Sequence, residues 1–265
     1  PTPEPVRTRI PLNATLPAVP AERVPEVLAK YEGEIQELKI KVAEKGQSLA
    51  DDVARVAAAR KALPNARLKV DANMGYTLDG ALEALRKLCE YGIIYAEQPV
   101  ATIEEMAALR FAIAKEDLPA RIAADESIRK AEDPLKVARA NAADLMVIKA
   151  APLGGVRRAL ALVEQAQLPA VVSSALESSV GIATGASLAA SLPTLRYGCG
   201  LGTVSLMAED VTDEPLIARD GFMDLRAITP SPQRLARLAT DEQTRQWWVE
   251  RVTACYRVLE RAADL

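Results

Sequence analysis

Five short apolar segments of this sequence each end on a charged residue that could take part in proton transfer or metal binding. These residues are Lys41, Asp71, Glu97, Asp125 and Lys149. Neighbouring members of the series are separated by about the length of one strand and one helix. In a barrel of parallel strands, the carboxyl ends of all the strands lie at one rim. The spacing therefore predicts that the five side chains converge at that rim.

The three carboxylates of this series, on Asp71, Glu97 and Asp125, predict a divalent metal site. Three carboxylates at one point repel one another unless a cation lies between them. Three oxygen ligands with room left for water or substrate suit Mg²⁺, whereas zinc prefers nitrogen or sulfur ligands. In the alternative interpretation each carboxylate caps the following helix or pairs with an arginine. Three carboxylates in register on consecutive strands favour the metal site.

The two lysines of the series, Lys41 and Lys149, predict two amines on opposite walls of the site, because their strands are four apart in a ring of eight. Burial and a nearby dication both lower the pKa of a lysine, which lets it act as a base. Lys39 points the same way as Lys41 by strand alternation. In the alternative, these lysines reach solvent or pair with the carboxylates. A lysine that removes the proton next to a metal-bound carboxylate would produce an enediolate.

The elements that must position these residues are eight predicted strands with helical patterns between them. The strands are predicted at 7–16, 37–42, 67–73, 93–99, 121–126, 145–150, 169–175 and 195–200, and the clearest helices at 48–63, 78–92 and 154–168. Alternation of strands and helices predicts an α/β fold, and eight units predict a TIM-type barrel. An open doubly wound sheet is the competing architecture, but no glycine-rich phosphate loop follows the first strand.

The composition excludes several other classes of protein. The chain has 265 residues, of which 49% are hydrophobic, enough for one barrel. A net charge of −3 does not favour a nucleic acid or a membrane surface as partner, and no apolar run reaches the roughly 18 residues of a membrane span. The absence of histidine excludes a Ser-His-Asp triad. Three scattered cysteines form no zinc or disulfide framework, which predicts a cytoplasmic protein.

Five motifs together resemble the enolase superfamily, in its muconate-cycloisomerase-like subgroup. They are KIK at 39–41, DAN at 71–73, EQP at 97–99, ADES at 124–127 and IKAAPLGG at 148–155. The resemblance implies a (β/α)7β barrel. Members of this family usually begin with a longer α+β capping domain, so the sequence predicts an N-terminal cap that is reduced or missing.

The resemblance also implies three parts of the chain. Residues 1–6 would be a remnant of the capping segment or a linker, and residues 7–213 would form the barrel. Residues 214–265 would form a C-terminal segment whose amphipathic helix packs on the barrel or on the cap.

The resemblance implies the following roles at the barrel mouth. Asp71, Glu97 and Asp125 would bind Mg²⁺, with Mn²⁺ as an alternative ion. Lys41 would be the acid/base, and Lys149 would stabilise the enediolate as a cation from the opposite side. The expected partner is therefore a small-molecule carboxylate substrate.

Five further residues are implied to support the site or to bind the substrate. Lys39 and Asn73 would support it electrostatically. Ser173 and Ser174, at the end of the seventh strand, and Gly200, at the end of the eighth, would receive a succinyl arm of the substrate.

The reaction within the subgroup is predicted from two further segments. SSALESSVG at 173–181 and GCGLGT at 198–203 favour the dehydration of a succinyl-substituted cyclohexadiene carboxylate, a hydro-lyase step of menaquinone biosynthesis. Racemisation of N-succinyl amino acids stays open, because the same two lysines could serve as two bases. Muconate cycloisomerisation and dipeptide epimerisation are weaker alternatives, and the second usually requires an Asp-X-Asp motif at the eighth strand.

Two alternatives assign the same residues a different kind of role. A non-catalytic binding barrel would leave both lysines and all three carboxylates unexplained. The serines at 173–179 could instead hold a phosphate at a helix N-terminus, or simply cap that helix.

Overall fold

The computed structural model describes residues 4–31 and 33–263, and its centre is a parallel sheet of seven strands. The strands of the described residues are β1 (Arg9–Pro11), β2 (Ala14–Leu16), β3 (Glu37–Lys41), β4 (Arg67–Asp71), β5 (Ile93–Glu97), β6 (Ile122–Ala124), β7 (Leu145–Ile148), β8 (Ala170–Val172) and β9 (Phe222–Asp224). The seven-stranded sheet consists of β2 to β8, and β1 pairs with β9 outside it. The sheet follows chain order from β2 to β8, so each strand pairs with its neighbour in sequence. This is the order that consecutive strand–helix units produce.

The two edges of this sheet are linked by a short segment around Cys199. Cys199 forms a parallel bridge with Leu12, next to β2, and Gly200 forms one with Ser173, next to β8. The backbone N–H of Asn13 donates to the carbonyl of Cys199 at 3.0 Å. These contacts give the seven-stranded sheet a TIM-like arrangement, as the strand–helix alternation predicted.

Two of the predicted strands differ from the structure. The predicted strand at 7–16 is divided in two, because β1 leaves the sheet and pairs antiparallel with β9. Pro11, which has no backbone N–H, ends β1. The predicted eighth strand at 195–200 is reduced to isolated bridges. Gly198 and Gly200 lie in this segment, and glycine weakens a strand interior.

Most of the helices lie between successive strands, and their buried residues pack on the outside of the sheet, whereas the last two follow the final strand. The helices are α1 (Val24–Leu28), α2 (Leu49–Ala62), α3 (Leu78–Leu88), α4 (Ile103–Lys115), α5 (Glu126–Arg129), α6 (Lys136–Arg139), α7 (Val156–Ala166), α8 (Ser179–Ser191), α9 (Pro232–Arg237) and α10 (Glu242–Ala263). The predicted helices at 48–63, 78–92 and 154–168 are confirmed as α2, α3 and α7. Ser48 begins α2 with a capping box, in which its hydroxyl accepts from the N–H of Asp51 and the Asp51 carboxylate accepts from the N–H of Ser48.

Strand alternation divides the buried side chains into an outer and an inner set. Leu38, Ile40, Leu68 and Val70 belong to the large core that includes the buried helix residues. A second, smaller cluster consists of Tyr95, Ala123, Leu145, Val147, Val171 and Tyr197. Residues two apart on a strand face the same side. The lysines and carboxylates of β3, β4 and β5 therefore lie on the inner face with Tyr95.

The C-terminal helix α10 forms where the amphipathic pattern predicts it, but its side chains are not buried on the barrel exterior. All of its described side chains are exposed, including about half of the surface of Trp247 and of Trp248. Of the predicted parts, residues 1–3 and 264–265 lie outside the described residues. The cap and the boundaries at 6 and 213 stay predictions. Within the described ranges, no helix has the length and apolar character to cross a membrane.

Candidate active site

The predicted lysines and carboxylates meet at the carboxyl ends of β3 to β7. We call this group the mouth cluster, and it consists of Lys39, Lys41, Asp71, Glu97, Asp125 and Lys149. The register of the strands explains why they meet. Lys41 is paired with Asp71 across β3 and β4, and Asp71 is paired with Glu97 across β4 and β5. Lys41, Asp71 and Glu97 are each the last residue of their strand, and Asp125 and Lys149 directly follow β6 and β7. These five side chains therefore start from the same end of the sheet.

The side chains of the first half of the cluster are joined by short ion pairs. Nζ of Lys39 lies 3.0 Å from Oδ2 of Asp71 and 3.1 Å from Oε1 of Glu97. Nζ of Lys41 donates to Oδ2 of Asp71 at 2.6 Å and to Oδ1 of Asn73 at 2.6 Å. The carboxylate of Asp71 therefore binds both lysines of the KIK motif, and Asn73 binds the second of them.

The second half of the cluster is built in the same way around Asp125. Nζ of Lys149 donates to Oδ2 of Asp125 at 2.7 Å, and both side chains are buried. Nε of Arg129 lies 3.3 Å from the other oxygen of Asp125, without the alignment of a hydrogen bond. Lys41 ends β3 and Lys149 follows β7, four strands further along the sheet, and each lysine contacts a different carboxylate.

Burial and neighbouring charges shift the pKa values of the cluster in opposite directions. Burial, together with repulsion from Asp71, raises the pKa of Glu97 to about 7. For Asp71, burial acts in the same sense, but the ammonium groups of Lys39 and Lys41 outweigh it and lower the pKa. Burial also disfavours the charged form of Lys39, but Glu97 and Asp71 hold its pKa above the usual value. Burial raises the pKa of Asp125 despite the contact with Lys149. The pKa is therefore raised for Glu97 and Asp125 and lowered for Asp71.

The donor set of the cluster fits a hard divalent cation. Oδ1 of Asp125 and Oε2 of Glu126 are buried and have no hydrogen-bond partner. Carboxylate oxygens are the ligands that Mg²⁺ prefers. Among the described residues, however, no three Asp, Glu or Cys side chains are already gathered as a metal-binding group. Instead, the lysine ammonium groups neutralise the carboxylates, so a metal would have to compete with these ion pairs.

The backbone turns sharply just beyond three of the strand ends. Ala43 after β3, Asn73 and Met74 after β4, and Gln98 after β5 all have positive φ angles, between 39° and 67°. Residues other than glycine adopt this conformation rarely, and such strain concentrates at functional sites. The turn at Asn73 accompanies the contact of its amide oxygen with Lys41.

The predicted substrate-binding residues lie together on the opposite side of the mouth. The hydroxyl of Ser174 donates to the carbonyl of Gly200 at 2.8 Å and lies 3.0 Å from the hydroxyl of Thr203. The hydroxyl of Ser173 lies 3.4 Å from the same carbonyl. A Cβ atom on Gly200 would lie 2.6 Å from Oγ of Ser173, so a larger residue there would displace the Ser173 hydroxyl. The serines thus bind the protein backbone, and they do not form a separate group at the N-terminus of α8.

Three residues that contact the cluster were not assigned from the sequence. Gln98 is fully buried, and its amide oxygen accepts from the N–H groups of Asp125 and Ser127. Glu126 accepts from Arg129 at 2.8 Å and from the amide of Asn73 at 3.4 Å. Two of these residues lie inside the quoted motifs, Gln98 in EQP and Glu126 in ADES. Arg129 follows Asp125 and Glu126 at the spacing of a helical turn, which is a signal for such contacts.

A surface cleft of about 330 Å³ lies beside the mouth cluster and not on it. Its lining includes Ala43, Gln47, Asp52, Gly75 and Tyr76, from the segments that follow β3 and β4. Gly75 is required there, because a Cβ atom would lie 2.5 Å from the carbonyl oxygen of Ala43. The two segments therefore pack closely against each other next to the turn that follows Lys41.

The fold and the site together define a class of protein, namely TIM-like α/β enzymes with catalytic groups at the carboxyl ends of the strands. A family model described as "Enolase C-terminal domain-like" matches residues 21–230. The chain belongs to this family. Enolase-superfamily sites use a lysine or histidine base together with divalent metal ions.

Curated relatives and solved structures agree with the family. The chain is 56% identical over 260 residues to the o-succinylbenzoate synthase of Mycolicibacterium smegmatis, covering 98% of this chain and 78% of that one. It is 52% identical over 258 residues to the o-succinylbenzoate synthase of Mycobacterium leprae, covering 97% and 75%. The structure resembles muconate cycloisomerase from Pseudomonas fluorescens with a TM-score of 0.76 and 28% identity, covering 88% of this chain and 66% of that one. The chain thus spans about three quarters of the curated relatives and just under two thirds of the cycloisomerase.

Proposed function

We propose that this chain has the activity of its curated relatives and acts as an o-succinylbenzoate synthase, a carbon–oxygen lyase of the hydro-lyase type. The observation that carries this proposal is the 52–56% identity to o-succinylbenzoate synthases over nearly the whole chain. The reaction is the syn dehydration of 2-succinyl-6-hydroxy-2,4-cyclohexadiene-1-carboxylate to o-succinylbenzoate, a step of menaquinone biosynthesis. The product ring is aromatic, which favours the reaction.

Lys41 is proposed as the acid/base. Its side chain is about one third exposed, more than that of any other member of the mouth cluster, so it can approach a substrate that enters the mouth. Its Nζ atom is held between Asp71 and Asn73. Lys41 would take the proton next to the substrate carboxylate and then return a proton to the departing hydroxyl group on the same face.

Lys149 is proposed as the cation that stabilises the developing enediolate. It lies on the strand four positions away from β3, and its ammonium group is held by Asp125. A positive charge that is already in place stabilises the negative charge that develops in the transition state. The activation free energy falls, because the protein does not have to rearrange during the reaction. Lys39 and Asn73 support Lys41 and the carboxylates, while Ser173, Ser174 and Gly200 shape the wall that receives the succinyl arm.

Asp71, Glu97 and Asp125 are proposed as ligands of Mg²⁺, with Mn²⁺ as an alternative. When bound, the dication supplies positive charge for the substrate carboxylate. The buried Oδ1 atom of Asp125 supports this assignment, because it has no hydrogen-bond partner that a cation would have to displace.

The finer points of architecture and location belong to the same proposal. We assign a (β/α)7β barrel that is closed through the Leu12–Cys199 and Ser173–Gly200 bridges. The substrate is a small carboxylate. A cytoplasmic location is supported by the cysteines Cys89, Cys199 and Cys255, which are all free.

The test is a direct assay of the full chain with the cyclohexadiene substrate, followed by ultraviolet absorbance as the ring becomes aromatic. We expect turnover with Mg²⁺, no turnover with a chelator, and recovery when Mg²⁺ or Mn²⁺ is added back. Racemisation of N-succinyl amino acids is measured in parallel by polarimetry. Racemisation without dehydration would mean that the chain is a racemase and not the proposed lyase. The absence of both reactions would contradict the proposal.

A further inference from the structure

A buried ion pair on α2 lies outside the mouth cluster and has no part in the roles proposed so far. Asp52 and Arg55 are almost completely buried, and their side chains are 2.9 Å apart. Arg55 follows Asp52 by three residues, so both side chains lie on the same face of α2. Burying two charges costs desolvation free energy. The hydrogen bonds that the two side chains make therefore indicate which parts of the backbone the pair holds in place.

The guanidinium of Arg55 binds the backbone at the residue that carries the acid/base side chain. Its NH1 group donates to the carbonyl of Lys41 at 2.9 Å, and its Nε donates to the carbonyl of Val19 at 2.6 Å. The paired register of β2 and β3 ends at Leu16 and Ile40, so β2 does not extend to Lys41. Arg55 therefore supplies, at Lys41, the hydrogen bond that a longer strand would have supplied.

The carboxylate of Asp52 holds the turn that follows Lys41. Its Oδ2 atom accepts from the backbone N–H of Ala43 at 3.0 Å and from the hydroxyl of Tyr76 at 2.6 Å. Ala43 has a φ angle of 57°, in the left-handed region. This conformation needs support from its surroundings. Asp52 supplies that support and links it, through Tyr76, to the segment after β4.

The ion pair thus holds the backbone on both sides of Val42, with Arg55 bound to Lys41 and Asp52 bound to Ala43. We propose that Arg55 and Asp52 are positioning residues for Lys41, a role that rests on the proposed function. The side chain of Lys41 has a flexible four-carbon stem and is partly exposed, so the direction of its amine depends on the backbone from which it starts. Without the pair, the amine would spend less time at the reacting proton.

The test compares two arginines of α2 that both bind backbone carbonyls. Arg60 donates to the carbonyls of Leu63, Ala66 and Tyr91, and none of these residues belongs to the mouth cluster. Arg55→Lys and Arg60→Lys keep the charge but remove the planar group that binds several carbonyls at once. Both variants are prepared in the full chain, and thermal unfolding measures what each substitution costs the fold.

The first readout is steady-state kinetics with the cyclohexadiene substrate and Mg²⁺. Arg55→Lys is expected to lower kcat by about 10- to 100-fold with little change in KM, since a displacement on the order of 1 Å can cost about 100-fold. Arg60→Lys is expected to leave both constants near those of the unsubstituted chain. A merely structural role for Arg55 would lower the folded fraction of Arg55→Lys but leave its kcat per folded molecule unchanged, and that result would overturn the proposal.

The second readout is amide hydrogen exchange, which does not require any reaction. Arg55→Lys should speed exchange in residues 41–48, and Arg60→Lys should speed it only around residues 63–66 and 91–92. Unchanged exchange at 41–48 in Arg55→Lys would overturn the proposal. If the unsubstituted chain does not dehydrate the substrate, the proposed function fails, while the exchange experiment still decides whether the pair holds the backbone at Lys41.

A milder variant keeps the inference testable if Arg55→Lys does not fold. Tyr76→Phe removes only the hydroxyl that donates to Asp52. We expect a smaller loss of kcat, again at nearly constant KM, and faster exchange of the Ala43 amide. Unchanged kcat and unchanged exchange in Tyr76→Phe would contradict the assignment of Asp52.

Discussion

The inside of the barrel holds two layers of ion pairs on the same strands, and they differ in how completely their polar atoms are satisfied. The lower pair consists of Glu37 and Lys69, whose charged atoms are 2.7 Å apart. The carboxylate of Glu37 also accepts from the backbone N–H of Gly198 at 3.0 Å and lies 3.2 Å from Arg67. Lys69 also donates to the carbonyl of Gly198. The lower pair is closed to solvent, and each of its two charged groups has more than one polar partner.

The mouth cluster uses the same residue types, only two positions further along β3 and β4, and it is left open. Lys41 is partly exposed, and one carboxylate oxygen of Asp125, like one of the neighbouring Glu126, has no hydrogen-bond partner. An ion pair with every hydrogen bond made is a structural element, whereas one with spare lone pairs and access to solvent can exchange partners. The lower pair and the mouth cluster therefore differ in their position along the strands and not in their residue types.

The largest expected effect that tests this contrast is the loss of activity in Lys41→Ala. General acid–base catalysis contributes typically about 10²- to 10⁴-fold, so kcat should fall by about that factor while the chain stays folded. Assays of aromatisation and circular dichroism measure the two quantities. Lys87→Ala is the matched control, because Lys87 is an exposed lysine on α3 that pairs with Glu83 and should leave kcat unchanged. Full activity in Lys41→Ala would contradict its role as acid/base.

The lower pair should respond in the opposite way. Lys69→Met leaves Glu37 buried without its main cation, and breaking a buried pair costs about 3–5 kcal/mol of unfolding free energy. The double variant Glu37→Gln, Lys69→Met should recover much of that loss, because no unpaired charge remains. Urea unfolding followed by circular dichroism measures both. If the single variant is as stable as the double variant, the pair does not have this structural role.

These contrasts also show which features a sequence can predict. The alternation of strands and helices and the positions of the strand ends were predictable, because they depend on local periodicity and on the length of one strand–helix unit. The role of Lys69 was not, because in the predicted strand at 67–73 it only interrupts an apolar run, while its partner Glu37 is 32 residues away. The same holds for Gln98, which links the ends of β5 and β6 through a side chain. The division of the strand at 7–16 depends on β9, more than 200 residues away.

A smaller effect concerns Lys39, which lies between Asp71 and Glu97 at the base of the mouth cluster. Lys39→Met removes the ammonium group that compensates both carboxylates, and a dication should then bind more tightly. We expect the dissociation constant for Mg²⁺ to fall roughly tenfold, equivalent to about 1.4 kcal/mol. Titration calorimetry with Mg²⁺ alone measures it, with Lys87→Met as the control. Weaker binding in Lys39→Met would mean that Lys39 arranges the carboxylates and does not compete with the metal.

The smallest expected effect concerns the thiol that lies next to the lower pair. Burial raises the pKa of Cys199 to about 12, so between pH 7 and pH 9 almost none of it is the reactive thiolate. Cys255 is exposed on α10 and Cys89 is partly buried. We therefore consider the double variant Cys89→Ser, Cys255→Ser, in which Cys199 is the remaining thiol. A chromogenic thiol reagent should detect no reactive thiol in the native chain at either pH, and one thiol per chain after unfolding in urea. Because both the closed environment and the raised pKa act against the reaction, a native thiol that reacts faster as the pH rises would show that the lower barrel opens to solvent. The distinction between a closed lower layer and an open mouth would then be one of degree only.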